Sequence, residues 1–288
     1  MTPLLWALLL WAFPHPPAER TIGSATLLEG SFAVTRGTTV YRAAEGIALK
    51  YGDIIETSDG AFAQLEFTNG AVVALGPSTR AYILPAVGSL GGRPILLDVV
   101  MLTGWLKTEI ASSKGTFRFR TRRLGVVSTG GTFVIRSNAT ECDVFFESGN
   151  SGSLGEVKAN GEMGAPTPVK AGQFFSRQRA APVSSLPRPS APFLDSMPRQ
   201  YRDTLPSRES RLSDKPVEAK AGHPVTYEEI EPWLEAPSSW RRGLAPRFAS
   251  RLSDSTFRKQ VENHSQELPD WAPILHPNPS SESPQVRN

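Results

Sequence analysis

The chain has 288 residues, of which 39% are hydrophobic, and its 31 Lys and Arg exceed its 28 Asp and Glu by a net charge of +3. This length allows one β domain of roughly 150 residues with additional segments, and such a mild positive charge does not indicate nucleic-acid binding. The single cysteine, Cys142, excludes an intramolecular disulfide.

The N-terminus carries an apolar run from Leu4 to Phe13. A helix of this length is too short to cross about 30 Å of hydrocarbon, but it matches the apolar region of a secretory signal peptide. We therefore expect residues 1–18 to be a signal peptide and the protein to be exported, periplasmic or secreted, in a bacterium. A buried or interfacial N-terminal helix is the alternative. No later apolar run approaches 18 residues, so no transmembrane segment is expected after the signal.

Residues 22–177 have the pattern of short strands separated by glycine turns, and 52–75 show it best. Ala61, Ala63, Leu65 and Phe67 share one face of a strand with period 2. The following Asn69-Gly70 is the strongest short signal for a β-hairpin, because both positions tolerate positive φ. We predict an all-β, antiparallel domain, a sandwich or jelly-roll-like fold.

The composition changes after the β region. Residues 178–224 are rich in proline, which removes hydrogen-bond donors and favours extended backbone, and this predicts a linker that either drapes over the domain or floats free. Residues 225–276 have helical periodicity and a candidate N-cap at Thr226, which predicts a small helical region. The polar residues 277–288 predict a disordered tail.

The β region resembles the FecR domain, named for a bacterial iron-citrate signal transducer. The resemblance covers about half of the chain and rests on an ordered set of motifs. Its residues are Gly52-Asp53, Ile55, Thr57, Ala63, Leu65, Phe67, Asn69-Gly70, Ala71 to Leu75, Pro77, Thr79, Leu102, Gly104, Leu106, Val127, Gly130, Thr132 to Val134, Val169 and Ala171 to Gln173.

The flanking segments, Met197 to Pro206 and the surroundings of Trp233, Phe257 and Pro269 to Leu275, resemble a subgroup of FecR-domain proteins. The resemblance implies that the proline-rich stretch is less free near Arg199 to Arg208 than its composition suggests. The signal-transducing proteins of the FecR family consist of three parts, one of which is a cytoplasmic segment that binds a sigma factor. This chain shows neither that segment nor an internal membrane helix, so contact with a sigma factor is not expected.

Residue patterns for catalysis or cofactor binding are weak. None of the four histidines, at positions 15, 223, 264 and 276, falls in the β region, and no His or Cys spacing suits a metal. Asp53, Asp59 and Asp98 could form carboxylate pairs for a hydrolase, but the first two lie in turn contexts that favour Asp. Cys142 has the alternation of a buried strand residue. We expect no enzyme activity, no cofactor and no metal.

Two sets of residues are candidates for binding. One is a cationic stripe that could contact an anionic partner, with a solvated sheet face as the alternative. The other is a set of tail tryptophans that could anchor a partner or dock the tail on its own domain. The stripe comprises Lys114, Arg118, Arg120, Arg122 and Arg123, and the tryptophans are Trp233, Trp240 and Trp271.

These features favour a non-catalytic exported envelope protein whose β domain is a platform for binding another envelope protein or an anionic envelope polymer. The alternative is a periplasmic module that senses a small ligand or glycan and signals through a separate membrane partner. An aromatic-lined pocket with a few polar groups would favour this second function.

Overall fold

A computed structural model of the protein describes residues 20–149, 151–179, 181–212, 217 and 219–276. The predicted signal peptide and the predicted disordered tail, 277–288, lie outside these residues. The described strands are β1 (Thr21–Glu29), β2 (Phe32–Arg36), β3 (Thr39–Arg42), β4 (Ala48–Lys50), β5 (Ile54–Thr57), β6 (Phe62–Phe67), β7 (Ala71–Leu75), β8 (Arg80–Leu84), β9 (Ser89–Leu90), β10 (Arg93–Ile110), β11 (Thr116–Thr121), β12 (Leu124–Ser128), β13 (Gly131–Ser137), β14 (Glu141–Ser148), β15 (Gly152–Glu156), β16 (Thr167–Pro168), β17 (Phe174–Gln178), β18 (Ser184–Leu186) and β19 (Lys220–Pro224).

The described helices follow β18. They are α1 (Ala191–Ser196), α2 (Tyr227–Leu234), α3 (Ser238–Arg241), α4 (Leu244–Phe248), α5 (Ser255–Asn263) and α6 (Ala272–Leu275), with 3-10 turns at Arg199–Arg202, Glu209–Arg211, Ala249–Ser253 and Pro269–Trp271. One further strand, β19, lies between α1 and α2.

The strands form a sandwich of two layers. The first sheet has the order β4-β1-β6-β7-β10-β13-β14-β17-β18, and the second has the order β19-β3-β2-β5-β8-β10-β11-β12-β15-β16. All neighbours are antiparallel except β10 and β11, which are parallel. This arrangement confirms the predicted all-β antiparallel fold with a short helical C-terminal part.

Strand β10 belongs to both sheets and joins them into one curled sheet. Its first half pairs with β8 and β11 in the second sheet, whereas the part from Gly104 onward pairs with β13, and then with β7, in the first. The strand changes layer at Gly104, where φ is +104°, and a Cβ there would lie 2.3 Å from the Thr79 Cα. Only glycine can take this conformation at this distance.

The core lies between the two layers and is built by the alternation that the sequence predicts. Leu65 and Phe67 of β6 belong to the same buried apolar cluster as Val34 and Phe119 of the second sheet. The hairpin between β6 and β7 is confirmed, since Asn69-Gly70 forms its turn and Gly70 has φ of +84°.

The outer face of the first sheet is covered by residues 190–208, which we call the strap. Phe193, Tyr201 and Leu205 of the strap are buried against Phe62 and Phe174 of the sheet. The proline-rich region was predicted to drape over the domain or to float free, and this part of it drapes. Its prolines prevent long helices but do not prevent burial of the apolar side chains between them.

Polar groups of the sheet hold the strap in place. The buried Lys107 Nζ donates to the carbonyl oxygens of Tyr201 at 2.7 Å and Asp203 at 3.0 Å, and it lies 2.9 Å from a Glu147 carboxylate oxygen. The Tyr201 hydroxyl donates to the carbonyl oxygen of Ala74 at 2.9 Å. Each of these partners satisfies a polar group that would otherwise be buried at a cost.

Glu66 makes a second polar anchor on the outer side of β6. Burial acts to raise the pKa of Glu66, but hydrogen bonds from Ser207, Thr26, the Arg208 backbone and Gln64 outweigh this effect and lower the pKa. The alternation of β6 leaves polar side chains on its outer side, and the strap covers that side, so all six residues of the strand are buried.

The outer face of the second sheet is covered by residues 225–276, which we call the tail. Thr226 begins α2 with a capping box, in which its hydroxyl accepts from the Glu229 N–H and the Glu229 carboxylate accepts from the Thr226 N–H. Three carbonyl oxygens of the β domain, those of Gly37, Gly52 and Thr35, accept hydrogen bonds from Arg247 of α4.

Replacing Gly104 by Ala should lower the free energy of unfolding by about 2–4 kcal/mol, since the new Cβ combines backbone strain with a clash against Thr79. Gly70→Ala is the matched control: its φ is also positive, but no atom lies within 4 Å of the added Cβ, so it should cost only about 1 kcal/mol. Urea unfolding of both variants measures the difference. Equal losses would contradict the close contact at Gly104.

Candidate functional site

The site is built on β11, where the sequence alternates aromatic and basic residues. Phe117 and Phe119 point into the core of the sandwich, and Arg118 and Arg120 point to the outer face of the second sheet. The tail lies over the same face, so these two arginines are enclosed between the sheet and the tail.

Asp98 of β10 binds both guanidinium groups. Arg120 Nη2 lies 2.9 Å and 3.1 Å from the two Asp98 carboxylate oxygens, and Arg118 Nη2 also donates to Asp98. Burial lowers the pKa of Arg120, while the negative charge of Asp98 acts to raise it. One carboxylate therefore neutralises one of two adjacent cations.

Gly161 connects this cluster to the tail. Its carbonyl oxygen accepts hydrogen bonds from Arg120 Nη1 and from Trp240 Nε1, each at 2.8 Å. The Arg120 guanidinium lies 5.9 Å from the centre of the Trp240 ring, within the range of a cation–π contact. Gly161 has φ of +85°, and a Cβ there would lie 2.6 Å from the Trp240 indole nitrogen. Glycine is therefore required at this junction.

A groove of about 580 Å³ opens beside this junction. One wall comes from the second sheet and the turn at Glu162, and the other from Ser239 and Arg242 at α3 of the tail. Val87, in the connection between β8 and β9, and Leu90 of β9 contribute apolar side chains to the lining. This is the candidate functional site, which we call the groove.

The five cations of the predicted stripe do not form one exposed face. Lys114 lies exposed before β11, Arg122 is exposed beside the tail, and Arg123 donates to the carbonyl oxygens of Asn138 and Ala139. Only Arg118 and Arg120 line the groove. The five cations are separated because the tail covers the sheet and β11 ends before Arg122. Contact of these residues with an anionic partner stays a prediction.

Arg242 was missed by the sequence interpretation. It is exposed, lines the groove, and makes no side-chain hydrogen bond or ion pair with any described residue. The available signal was its position two residues after Trp240, a residue already considered as an anchor of the tail. Sequence alone does not show which strand the tail crosses, so Arg242 could not be placed near Arg118.

The three candidate tryptophans are buried in the cluster between the tail and the second sheet. Trp233 contacts Tyr82 of β8 edge-on with 5.7 Å between ring centres, and Trp271 packs on Phe257 within the tail. This arrangement corresponds to docking of the tail on its own domain. Whether a partner also binds this region stays a prediction.

Other candidate residues do not assemble a reactive centre. His223 pairs with Glu229 at 2.7 Å, His264 stacks on Tyr227, and His15 lies outside the described residues. Across the described ranges, no group of three or more His, Cys, Asp or Glu could hold a metal. Within those ranges, too, no helix has the length and apolarity needed to span a bilayer.

Comparisons with known proteins give limited similarity. No family model matches the chain, and no curated protein matches it. Two crystal structures of a "putative anti-sigma factor" from Parabacteroides distasonis ATCC 8503 are similar over part of the chain, with TM-scores of 0.37 and 0.38. In both, 16% of the aligned residues are identical, and the match covers 47% of this chain and 59% of the other. Similarity at this level carries no argument about function.

Trp240→Phe should lower the free energy of unfolding by about 1 kcal/mol more than Trp233→Phe, since only the first removes a hydrogen bond. Both indoles are fully buried, and Trp233 Nε1 has no partner among the described residues. Urea unfolding followed by circular dichroism measures both losses. Equal losses would show that the bond to Gly161 does not fasten the tail.

The thiol of Cys142 should be unreactive in the folded protein. Burial raises its pKa to about 12, although Thr121 donates a hydrogen bond to the sulfur. We expect no labelling by a thiol reagent at pH 8 until denaturant is added, because the thiolate is the reactive form. Rapid labelling of the native protein would contradict this burial.

The same shift predicts a loss of stability at high pH. Above pH 9.0 the thiol ionises in the unfolded chain but not in the folded one, so its contribution is complete below that pH and decreases as the pH rises towards 12. The free energy of unfolding of Cys142→Ala should lack this component. The variant and the parent protein can be compared by urea unfolding between pH 8 and pH 10.

Proposed function

We propose that this chain is an exported, non-catalytic binding module of the FecR-domain type that senses a ligand in the groove. The observation that carries the proposal is the composition of the groove, since its walls come both from the β domain and from the tail. A ligand bound there would contact both parts, so its binding would change how firmly the tail is held. A separate membrane partner would then respond to the tail.

Because both sheets are covered on their outer faces, the groove is a better candidate for the binding site than a flat sheet surface. The strap occupies the outer face of the first sheet, and the tail occupies much of that of the second. A partner that bound either covered area would have to displace buried aromatic side chains. The groove provides a concave surface with polar groups and needs no such displacement.

The state of the carboxylates supports a non-catalytic role. Asp98, which lines the groove, accepts hydrogen bonds from Arg118 and Arg120 and is almost fully buried. Both carboxylate oxygens of Asp98 are already engaged by the two guanidinium groups. We therefore assign it to the positioning of the arginines and propose no reaction, no cofactor and no contact with a sigma factor.

A platform for protein contacts is the second candidate function. Its supporting observation is β18, an edge strand that pairs only with β17 among the described strands. Leu186 on this strand is exposed. An open strand edge can pair with a strand of another protein.

Hydrogen exchange of the full chain distinguishes the two functions. The protein is mixed with the small-molecule, the polymer or the protein fraction of a bacterial envelope extract. If the groove is the ligand site, backbone protection should rise at 85–93, 161–166 and 238–242. Protection confined to 184–186 would support the platform instead, and protection at neither place would contradict both functions.

Two matched variants sharpen this test. Val87 is exposed at the groove and Leu186 is exposed at the β18 edge, so tryptophan at either position should leave the fold intact. Val87→Trp should narrow the groove and reduce protection there, whereas Leu186→Trp should leave that protection unchanged. The opposite result would assign binding to the edge.

A further inference from the structure

We propose that the groove binds an oxyanion, such as a phosphate, sulfate or carboxylate, that is attached to an apolar body, and that the oxyanion links β11 to α3. This inference rests on the proposed function and specifies its ligand. It also replaces the idea of a cationic strand face with a smaller, enclosed site that the tail completes.

The charges at the groove favour an anion. Three arginines line it, against the two carboxylates Asp98 and Glu162, which leaves one excess positive charge. Asp98 is already shared between Arg118 and Arg120. Arg242 has no ion-pair partner in the described part of the chain. A second anion would balance the cluster, and guanidinium groups match the geometry of oxyanions.

Buried hydrogen-bond donors without partners point to the same place. In the described structure, Arg118 Nε, Arg120 Nε and the Ser239 hydroxyl oxygen are buried and lack a hydrogen bond. Arg120 itself is 95% buried, with 5% of its surface exposed. A buried polar atom without a partner is costly and rare in folded proteins. All three residues line the groove, where a ligand oxygen could accept from them.

Apolar side chains also line the groove, and they indicate that the part of the ligand beyond the oxyanion is apolar. Leu84 ends β8, Val87 lies in the connection to β9, and Leu90 belongs to β9, whereas Met163 comes from the opposite turn. Val87 is 70% exposed, so this end of the groove has apolar surface to cover. A ligand with an aliphatic body would bury that surface while its oxyanion reaches the arginines.

The position of the donors gives the oxyanion a bridging role. Arg118 and Arg120 belong to β11, whereas Ser239 and Arg242 belong to the tail. An oxyanion shared by both sets stabilises the docked tail, and by linkage a firmly docked tail binds the oxyanion more tightly. The ligand and the tail therefore regulate each other.

Calorimetric titration of the full chain tests the ligand class with defined probes. The probes are inorganic phosphate, butyl phosphate, octyl phosphate and the neutral octyl glucoside. We expect octyl phosphate to bind at least about tenfold more tightly than inorganic phosphate, because each buried methylene can add about fourfold in affinity. Affinity should fall as salt increases.

Variants then locate the oxyanion. Arg242→Gln should weaken octyl phosphate about tenfold and Ser239→Ala about threefold, as expected for a charged and a neutral hydrogen bond. Arg188→Gln is the matched control, since Arg188 is exposed and does not line the groove. Thermal unfolding without ligand confirms that each variant folds. With octyl phosphate bound, exchange at 238–242 should slow.

Three results would overturn the inference in different ways. Equal affinity for inorganic and octyl phosphate would show that the apolar body does not contribute to binding. Equal affinity for octyl glucoside and octyl phosphate, or full affinity of Arg242→Gln for octyl phosphate, would show that the oxyanion is not recognised, although the groove would still bind a ligand. If no probe binds while an envelope fraction still protects the groove, the ligand class is wrong and the proposed function stands.

Discussion

The change of layer within β10 is the constraint on which the sandwich depends. One continuous strand pairs with β8 and β11 on one side of Gly104 and with β13 and β7 on the other. The register of both sheets is therefore set by the same backbone. Thr79 fixes this point further, because its hydroxyl oxygen lies 3.0 Å from the Trp105 backbone nitrogen and accepts its hydrogen bond. A shift of β10 by one residue would move the side chains of both layers to the wrong face.

Register also explains why the two outer faces carry such different chemistry. In the half of β10 that belongs to the first sheet, Lys107 points outward and binds the strap. In the half that belongs to the second sheet, Asp98 points outward and binds Arg118 and Arg120. Both are buried charges, which are costly unless they are paired. The strap buries Lys107, which is paired with backbone carbonyl groups and Glu147. The tail covers the face on which Asp98 is paired with the two arginines.

The parts that could be predicted from sequence are those with local causes. The alternation in Ala61 to Phe67, the turn at Asn69-Gly70 and the N-cap at Thr226 each involve neighbours in the chain, and the structure has all three. The covering of the sheets has non-local causes. Tyr201 meets Ala74, and Trp240 meets Gly161, across long separations in sequence. Composition alone left open whether residues 178–224 drape over the domain or float free, and no local pattern links Arg242 to Arg118.

The order in which the two covers occur along the chain has a consequence for synthesis. Both follow strands β1 to β18, with the strap first and the tail last. A chain that emerges from its N-terminus can pair these strands before either cover exists. For that interval Phe62, Phe174 and Tyr82 lie on bare outer faces, and nascent surfaces of this kind are prone to aggregation. A chain that ends before Trp240 would therefore leave part of the outer apolar face of the second sheet uncovered.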